Sequence, residues 1–384
     1  MEPSRVRALT FASFAALLPS FDLRAQGNSA AAAEAAVTDF AAAERALADA
    51  PKLPKSPAGA AVRTAVRSSP DGTQRAWIVG YPGVLASAPS KPDAIELIVE
   101  DVASGKRSTT RFECADFNHD RRRGPVWSAD GGVLVAYDVQ GKETAYKACA
   151  DLVRNGEARP FLREEDWSVR SVAASAAGTV AIALQHAWNG SSAVLVCGAD
   201  GESRVVIDPG KSRCVSAAPS PDGRQIALLL DDQVAVAPAT GGEPRKLAAL
   251  DHADNYVTAD RDVPTWLADG KSFVVAAGGD VVHVDVSNGE LHRWNAAALG
   301  GTAADVVVLP GDAIAAAIAL HETDANLADV VMHAGCASKS RYLDLVWLDL
   351  KSGKSQGSSI ADKWVVGDWA DMPKVGSLVA RFGH

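Results

Sequence analysis

Aromatic residues make up only 6% of the 384-residue chain, cysteine occurs five times and methionine three times. The cysteines, at 114, 149, 197, 214 and 336, include no C-x-x-C pair, which excludes a zinc ribbon or a thioredoxin-type redox couple. In an exported chain the odd count leaves at least one thiol free or intermolecular, with small buried hydrophobes as the plain alternative. Basic charge is in deficit: 38 Lys and Arg stand against 47 Asp and Glu, a formal net charge of −9. That balance argues against nucleic acid as a partner and against a polybasic membrane anchor. Beyond the N-terminal segment no uninterrupted apolar run reaches the ~18 residues of a bilayer span, so no transmembrane segment is expected in the mature chain. What is present, 47% hydrophobic and 22% charged residues with 32 Gly and 19 Pro, is the composition of a folded protein.

The first 25 residues carry an address. Arg5 and Arg7 precede an apolar run from Ala8 to Leu18, then Pro19 and a cleavage position after Ala25, as in a secretory signal. Leu23 and Arg24 fit the small-x-small cleavage rule poorly, so a hydrophobic N-terminal helix is the alternative. The export reading places the mature chain in the periplasm or outside the cell. Residues 26–59 read as an Ala-rich helix over 27–50, with Val37, Phe40, Ala43 and Leu47 as its apolar stripe. A stiff linker with Pro51, Pro54 and Pro57 follows, and the domain boundary falls near 60.

From 60 to 384 the chain repeats. Two apolar strands flank a turn in SSPDGTQRAWIVG (68–80), VWSADGGVLVAYDV (126–139), PSPDGRQIALLL (219–230) and TWLADGKSFVVAAG (265–278). Fainter copies stand at 173–186, 307–321 and 368–382. Proline presets φ at the first turn position, Asp bonds its own backbone, and Gly accepts the left-handed φ that closes the hairpin. A second hairpin follows each of the first six, at Ser104-Gly105, Asn155-Gly156, Asp200-Gly201, Gly241-Gly242, Asn288-Gly289 and Ser352-Gly353. Four short antiparallel strands per ~40–50 residues is the signature of a β-propeller blade. The fold expected is therefore all-β, a propeller of four-stranded antiparallel blades preceded by a short N-terminal helix. Seven first hairpins favour seven blades, and six second hairpins keep six as the alternative.

WSADGGVLVAYD, PSPDGRQIALLL and TWLADGKSFVVAAGGDVVHVDVSNGELHRW resemble the TolB-type propeller repeat, an apolar-x-Ser-Pro-Asp-Gly turn followed by an Ile-Ala-Phe-like strand. The resemblance covers roughly 60–384 and implies the propeller, without the α/β domain that precedes it in TolB. It implies nothing specific about function.

The loops after each second strand share a face with the connections between blades, and 80–94, 185–192 and 321–342 are the long ones. His186 and His321, in equivalent positions there, are the catalytic candidates if the chain is an enzyme. Trp188, Asp138, Arg122, Glu165, Asp254 and Arg261 are the ligand-binding candidates on the same rim, with a solvated polar rim as the plain alternative. His321, His333 and Cys336 combine metal-ligand types in one loop, although a capped short helix explains them equally. Asp116, Asn118 and Asp120 begin a calcium-loop pattern that fails at Arg121 and Trp127. No nucleophile-elbow enzyme is read, because no α/β segment follows the repeats. Pro209-Gly210-Lys211-Ser212 and Ser352-Gly353-Lys354-Ser355 read as blade turns rather than phosphate loops.

Expected from these features is a monomeric, non-catalytic propeller without a cofactor that binds a protein or peptide. A lyase or hydrolase with a polar, metal-dependent mouth around His186 and His321 is one alternative. A small-ligand or sugar sensor is the other.

Overall fold

The computed structural model describes residues 36–48, 54, 57, 62–64, 66–82, 92–113, 124–140, 146–198, 204–250, 263–321 and 341–364. Among these, six antiparallel sheets follow one another at 62–113, 126–165, 167–207, 214–249, 265–294 and 302–364, here sheets 1 to 6. Within each sheet the strands are hydrogen-bonded in chain order, the arrangement of β-propeller blades. In sheet 1 the first strand position is split between Val62–Arg63 and Arg67–Ser68, which pair with the two ends of Gln74–Pro82. Six blades are thus complete among the described residues. The seventh hairpin expected at 368–382 and the signal expected at 1–25 lie outside them. No helix among the described residues is long and apolar enough to cross a membrane.

The turns close as their residue types require. In sheet 4 the Ser220 hydroxyl donates to Asp222 Oδ1 at 2.6 Å and accepts from the Gln225 amide at 3.0 Å, while Gly223 adopts φ 70°. Sheet 1 repeats the arrangement with Ser69, Asp71 and Gly72, whereas in sheet 2 the Ser128 hydroxyl donates to Asp130 Oδ1 and to the Gly132 carbonyl, with Gly131 at φ 79°. The serine hydroxyl beside each holds Asp71 and Asp222 below the usual carboxylate range. In sheet 6 the expected turn glycine, Gly311, is one place early. The amide that returns to Leu309 is that of Asp312, at φ 55°, a conformation Asp tolerates through local hydrogen bonding. The second hairpins rest on residues the sequence reading left out. Asp101, Asp285 and Asp349 each accept backbone N–H groups two or three residues ahead and so build the turn that the following glycine completes.

Each sheet buries both faces, because its central strands carry apolar residues toward both neighbours rather than toward one. Gln225–Leu230 and Ser272–Ala277 are buried throughout except at their first residues. Separate apolar clusters fill the spaces between sheets 1 and 2, 2 and 3, 3 and 4, 4 and 5, and 5 and 6. Indole donors tie neighbours together. Trp127 Nε1 reaches the Arg67 carbonyl and Trp266 Nε1 the Ala218 carbonyl, both at 3.0 Å. Trp294 Nε1 reaches the Gly353 carbonyl at 2.9 Å. Cys149, Cys197 and Cys214 are buried in the same packing.

The Ala-rich segment docks on the propeller. Helix α1 spans Phe40–Ala48 of the 27–50 span expected, whose residues 27–35 and 49–50 lie outside the described ones, and Asp39 caps it: Asp39 Oδ1 accepts the Ala42 amide at 2.7 Å. Residues 36–38 before it are not helical, and the Val37 amide donates to the Pro310 carbonyl at 2.7 Å. Val37, Ala43 and Leu47 then pack on the outward face of sheet 6 with Leu345 and Trp347, and Trp347 Nε1 donates to Glu44 Oε1 at 2.8 Å. Phe40, the fourth member of the expected stripe, is partly buried there.

The turn glycines separate backbone strain from sheet packing. A Cβ on Gly72 would meet nothing within 4 Å, whereas one on Gly223 would lie 2.2 Å from Thr179 Oγ1 of sheet 3. Both residues have left-handed φ, so Gly72→Ala is expected to cost about 1–2 kcal/mol from conformation alone. Gly223→Ala is expected to cost clearly more, because Thr179 must move and its contact with the Gly223 carbonyl is lost. Equal losses in denaturant melts would show that sheets 3 and 4 do not press together at this turn.

Candidate functional site

The two ends of the sheets differ. At one end, the turns joining first to second and third to fourth strands run to six residues at most, as at 128–132, 155–156 and 286–290. At the other, the connections range from the single residue Asp166 to segments such as 250–264 and 322–340. Uniform turns satisfy the repeat, while connections free to vary in length carry what is particular to a protein.

At the variable end, sheets 2 and 3 meet around Asp166. This residue alone links Glu157–Glu165 to Trp167–Ala174, so it must reverse the chain by itself, and it does so at φ 64°. Its carbonyl accepts the Ala187 amide at 2.8 Å and its carboxylate accepts Trp188 Nε1 at 3.2 Å. The 187–191 turn is closed by Gly190 at φ 70° and by Asn189 Oδ1, which accepts from both the amide and the hydroxyl of Ser191. The segment 185–192, expected as a long loop, is therefore a tight turn between two strands. It holds Trp188 62% exposed, the one aromatic residue among the exposed large hydrophobics described.

His186 ends the strand that leads into this turn. Its ring meets Trp167 edge-on, centroids 5.1 Å apart, and its Nδ1 accepts the Trp188 amide at 3.2 Å. Trp167 and His186 are register partners across the first two strands of sheet 3, which is what brings the rings together. Acidic groups line the adjoining strand end. Glu165 pairs with Lys147 at 2.8 Å. Glu164 is half-buried, and that burial pushes its carboxyl above the usual range against the pull of Arg204 and Lys147. The result is an exposed indole anchored at its nitrogen, its backbone amide held by an imidazole that packs on a second indole, with carboxylates on the adjoining strand end. Such a surface can stack on an aliphatic or cationic group.

Of the residues singled out in the sequence, His186 and Trp188 are joined by the hydrogen bond to the Trp188 amide, and Glu165 precedes Asp166 in the chain. Asp138, at the same end of sheet 2, is 2% exposed and joins sheets, its carboxylate accepting the Ser168 hydroxyl at 2.6 Å and the Val169 amide at 3.1 Å. His321 ends the strand Ile314–His321, its backbone paired with Tyr342, and its side chain is outside the described residues. Arg122, Asp254, Arg261, His333, Cys336 and the Asp116–Asp120 pattern also fall outside them. Among the described residues no group of three His, Cys, Asp or Glu side chains could hold a metal ion. Gly353-Lys354-Ser355-Gln356-Gly357 spells G-x-S-x-G, a match the sequence reading passed over. It is a strand-to-strand turn with Ser355 Oγ donating to the Ala298 carbonyl at 3.1 Å, not the strand-to-helix elbow of a nucleophile. Trp167 and Lys147 were missed. The register of the aromatic pair, read from strand spacing, is the signal that could have found Trp167.

Neither a protein-family profile nor any curated protein sequence matches the chain. Among solved structures it is similar to a chain from a study of two prolyl endopeptidases, at a TM-score of 0.51 and 16% identity, over 82% of its own length. It spans 44% of the length of that endopeptidase chain. The structure of TolB from Acinetobacter baumannii aligns with 76% of this chain and 65% of its own at 13% identity, with a TM-score of 0.41. At these identities the likeness is one of fold.

Burial of Glu164 gives the site a pH signature. Its folded-state pKa lies above the unfolded value near 4.5, so ionisation opposes folding. This contribution favours the folded state fully below about pH 4.5 and is lost as pH rises through the folded pKa. Glu164→Gln should therefore raise the melting temperature at pH 7, with the gain shrinking as pH falls toward 4.5. A gain unchanged by pH would show that Glu164 is not desolvated.

Proposed function

We propose that this chain is a non-catalytic β-propeller that binds a protein or peptide at the variable end of its sheets. Trp188 serves as the anchor. The observation that carries this reading is that tight local structure spends hydrogen bonds on holding a large indole in solvent: Asp166 grips its nitrogen and His186 its amide. Folding alone rewards the burial of such a side chain, and exposed, pre-positioned Trp is what interface hot spots are made of. The charge balance and the acidic border favour a segment with basic and apolar side chains.

The enzyme alternative draws least support. His186 is engaged as an acceptor at Nδ1 and packed on Trp167, which suits a support for Trp188 better than a proton carrier. Prolyl endopeptidase activity belongs to that protein, of whose length this chain spans less than half. Export to the periplasm or beyond remains part of the proposal, resting on Arg5, Arg7 and the apolar run before Pro19.

A displayed random-peptide library selected on the purified chain tests the reading. Enriched peptides should carry basic and apolar residues and lose tenfold or more in affinity for Trp188→Ala, about 1.4 kcal/mol per tenfold step. Peptides that bind both proteins equally would move the site elsewhere. A library with no enrichment, beside Trp188-dependent binding on a glycan array, would replace the peptide reading with the sugar sensor.

A further inference from the structure

The fourth strands of sheets 2 and 3, Glu157–Glu165 and Arg204–Ile207, form the two walls of a groove on the outer side of the propeller. Blades that radiate from one axis diverge outward, so their fourth strands stand furthest apart. Packing fixes which side chains face this groove. Val205 and Ile207 belong with the apolar cluster between sheets 3 and 4, so Arg204 and Val206, which alternate with them, face sheet 2. On the other wall Leu162 packs in the cluster between sheets 2 and 3, and Glu164, two residues on, takes the same side.

A tie closes the groove at the end nearer the tight turns. Ladder register pairs Ala150 with Leu162 and Asp151 with Pro160, which leaves Phe161 as the extra residue of a β-bulge. Its carbonyl accepts Nη2 of Arg204 at 2.8 Å, a bond from one wall to the other. Toward the variable end the walls then carry Glu164 and Val206. Beyond them stand Asp166 and the Trp188 indole whose nitrogen it holds. From Phe161 to Asp166 is five residue steps, about 16 Å at the rise of an extended strand.

Exposure singles this groove out. Three large hydrophobic side chains are exposed among the described residues, and two of them, Trp188 at 62% and Val206 at 40%, lie along it. On the wall opposite Val206, Glu164 is half-buried, and burial holds its carboxyl above the usual range against the pull of Arg204 and Lys147. A cation brought to that carboxylate supplies the stabilisation that lost solvent withholds. An extended chain sends alternate side chains to opposite sides, so it serves an apolar wall and an acidic wall at once.

We infer that the peptide bound at Trp188 continues along the groove between sheets 2 and 3 as an extended segment of about five residues. This rests on the reading of Trp188 as the anchor of a peptide site. An apolar side chain stacks on Trp188, and a Lys or Arg two positions away meets Glu164. The residue beside that base turns an apolar side chain to Val206. The bond between Arg204 and Phe161 marks where the segment leaves the groove. The partner is thus a short linear stretch with an apolar-x-basic pattern, not a broad folded surface.

The test takes peptides enriched on the purified full chain and measures them against Glu164→Gln, Val206→Asp and Trp188→Ala. They are expected to carry Lys or Arg two positions from an apolar residue, and to lose tenfold or more in affinity for Glu164→Gln and for Val206→Asp. Replacing that Lys or Arg by norleucine should cost as much as Glu164→Gln, and the two changes together no more than either alone. Because Glu164→Gln is expected to melt higher than the parent, affinity lost there is not a lost fold. Peptides that need Trp188 yet bind Glu164→Gln and Val206→Asp as tightly as the parent would overturn the groove and leave the Trp188 anchor standing. Peptides indifferent to Trp188→Ala, or no enrichment at all, would overturn both.

Discussion

A sheet whose inner strands are apolar on both faces is stable only when something covers each face. Everything else described in this protein follows from that requirement. Strands such as Gln225–Leu230 have no solvent side, so each sheet needs two neighbours. Successive sheets supply them by stacking in chain order. Ala-rich second strands, as in Ile314–His321, keep the surfaces flat enough for close approach, and Ala315, Ala316, Ala317 and Ala319 are fully buried. The polar groups that such close packing would strand are matched across sheets. Asp138 is met by Ser168, Ser171 by the Ala217 amide, and the Trp127 and Trp266 nitrogens by main-chain carbonyls. The same requirement explains why α1 lies on sheet 6 rather than hanging as a tether.

Packing of this kind makes the two ends of the sheets unequal in freedom. The tight-turn end is built from Ser, Asp and Gly whose hydrogen bonds are local, and where a turn meets a neighbouring sheet little room is left for change, although Gly72 stands clear of any neighbour. At Gly223 even a methyl group would strike Thr179. The opposite end carries connections that range from one residue to segments such as 322–340, and there the chain can present groups that folding does not need. Trp188 is such a group. Its exposure is held in place by Asp166, a residue already constrained by being the whole connection between two blades.

The repeat was legible because its causes are local. Pro, Asp and Gly select turn geometry within four residues, and continuous apolar runs select buried strands, so six first hairpins could be placed from the sequence. The errors arose where a local rule met a neighbour or a competing local rule. Gly311 looked like the turn glycine until Asp312 took the returning hydrogen bond, and the Ala-rich stretch looked helical through 36–38, which are not helical because Asp39 caps the helix that starts at 40. The site was less legible. Trp188 and His186 could be assigned to one face from topology, but the Trp167–His186 contact depends on strand register, and the burial of Asp138 depends on an adjacent sheet.

By itself, then, the sequence determined the fold class, the turn chemistry and the end of the sheets at which variable connections gather. Each of these is set by residues within a few positions of one another. Only the tertiary structure decided which polar residues at that end are spent on joining sheets and which stand in solvent. It also decided that α1 covers sheet 6. Those outcomes depend on side chains tens to hundreds of residues apart, Glu44 with Trp347 and Asp138 with Ser168, whose meeting is fixed by how whole sheets stack rather than by any local preference.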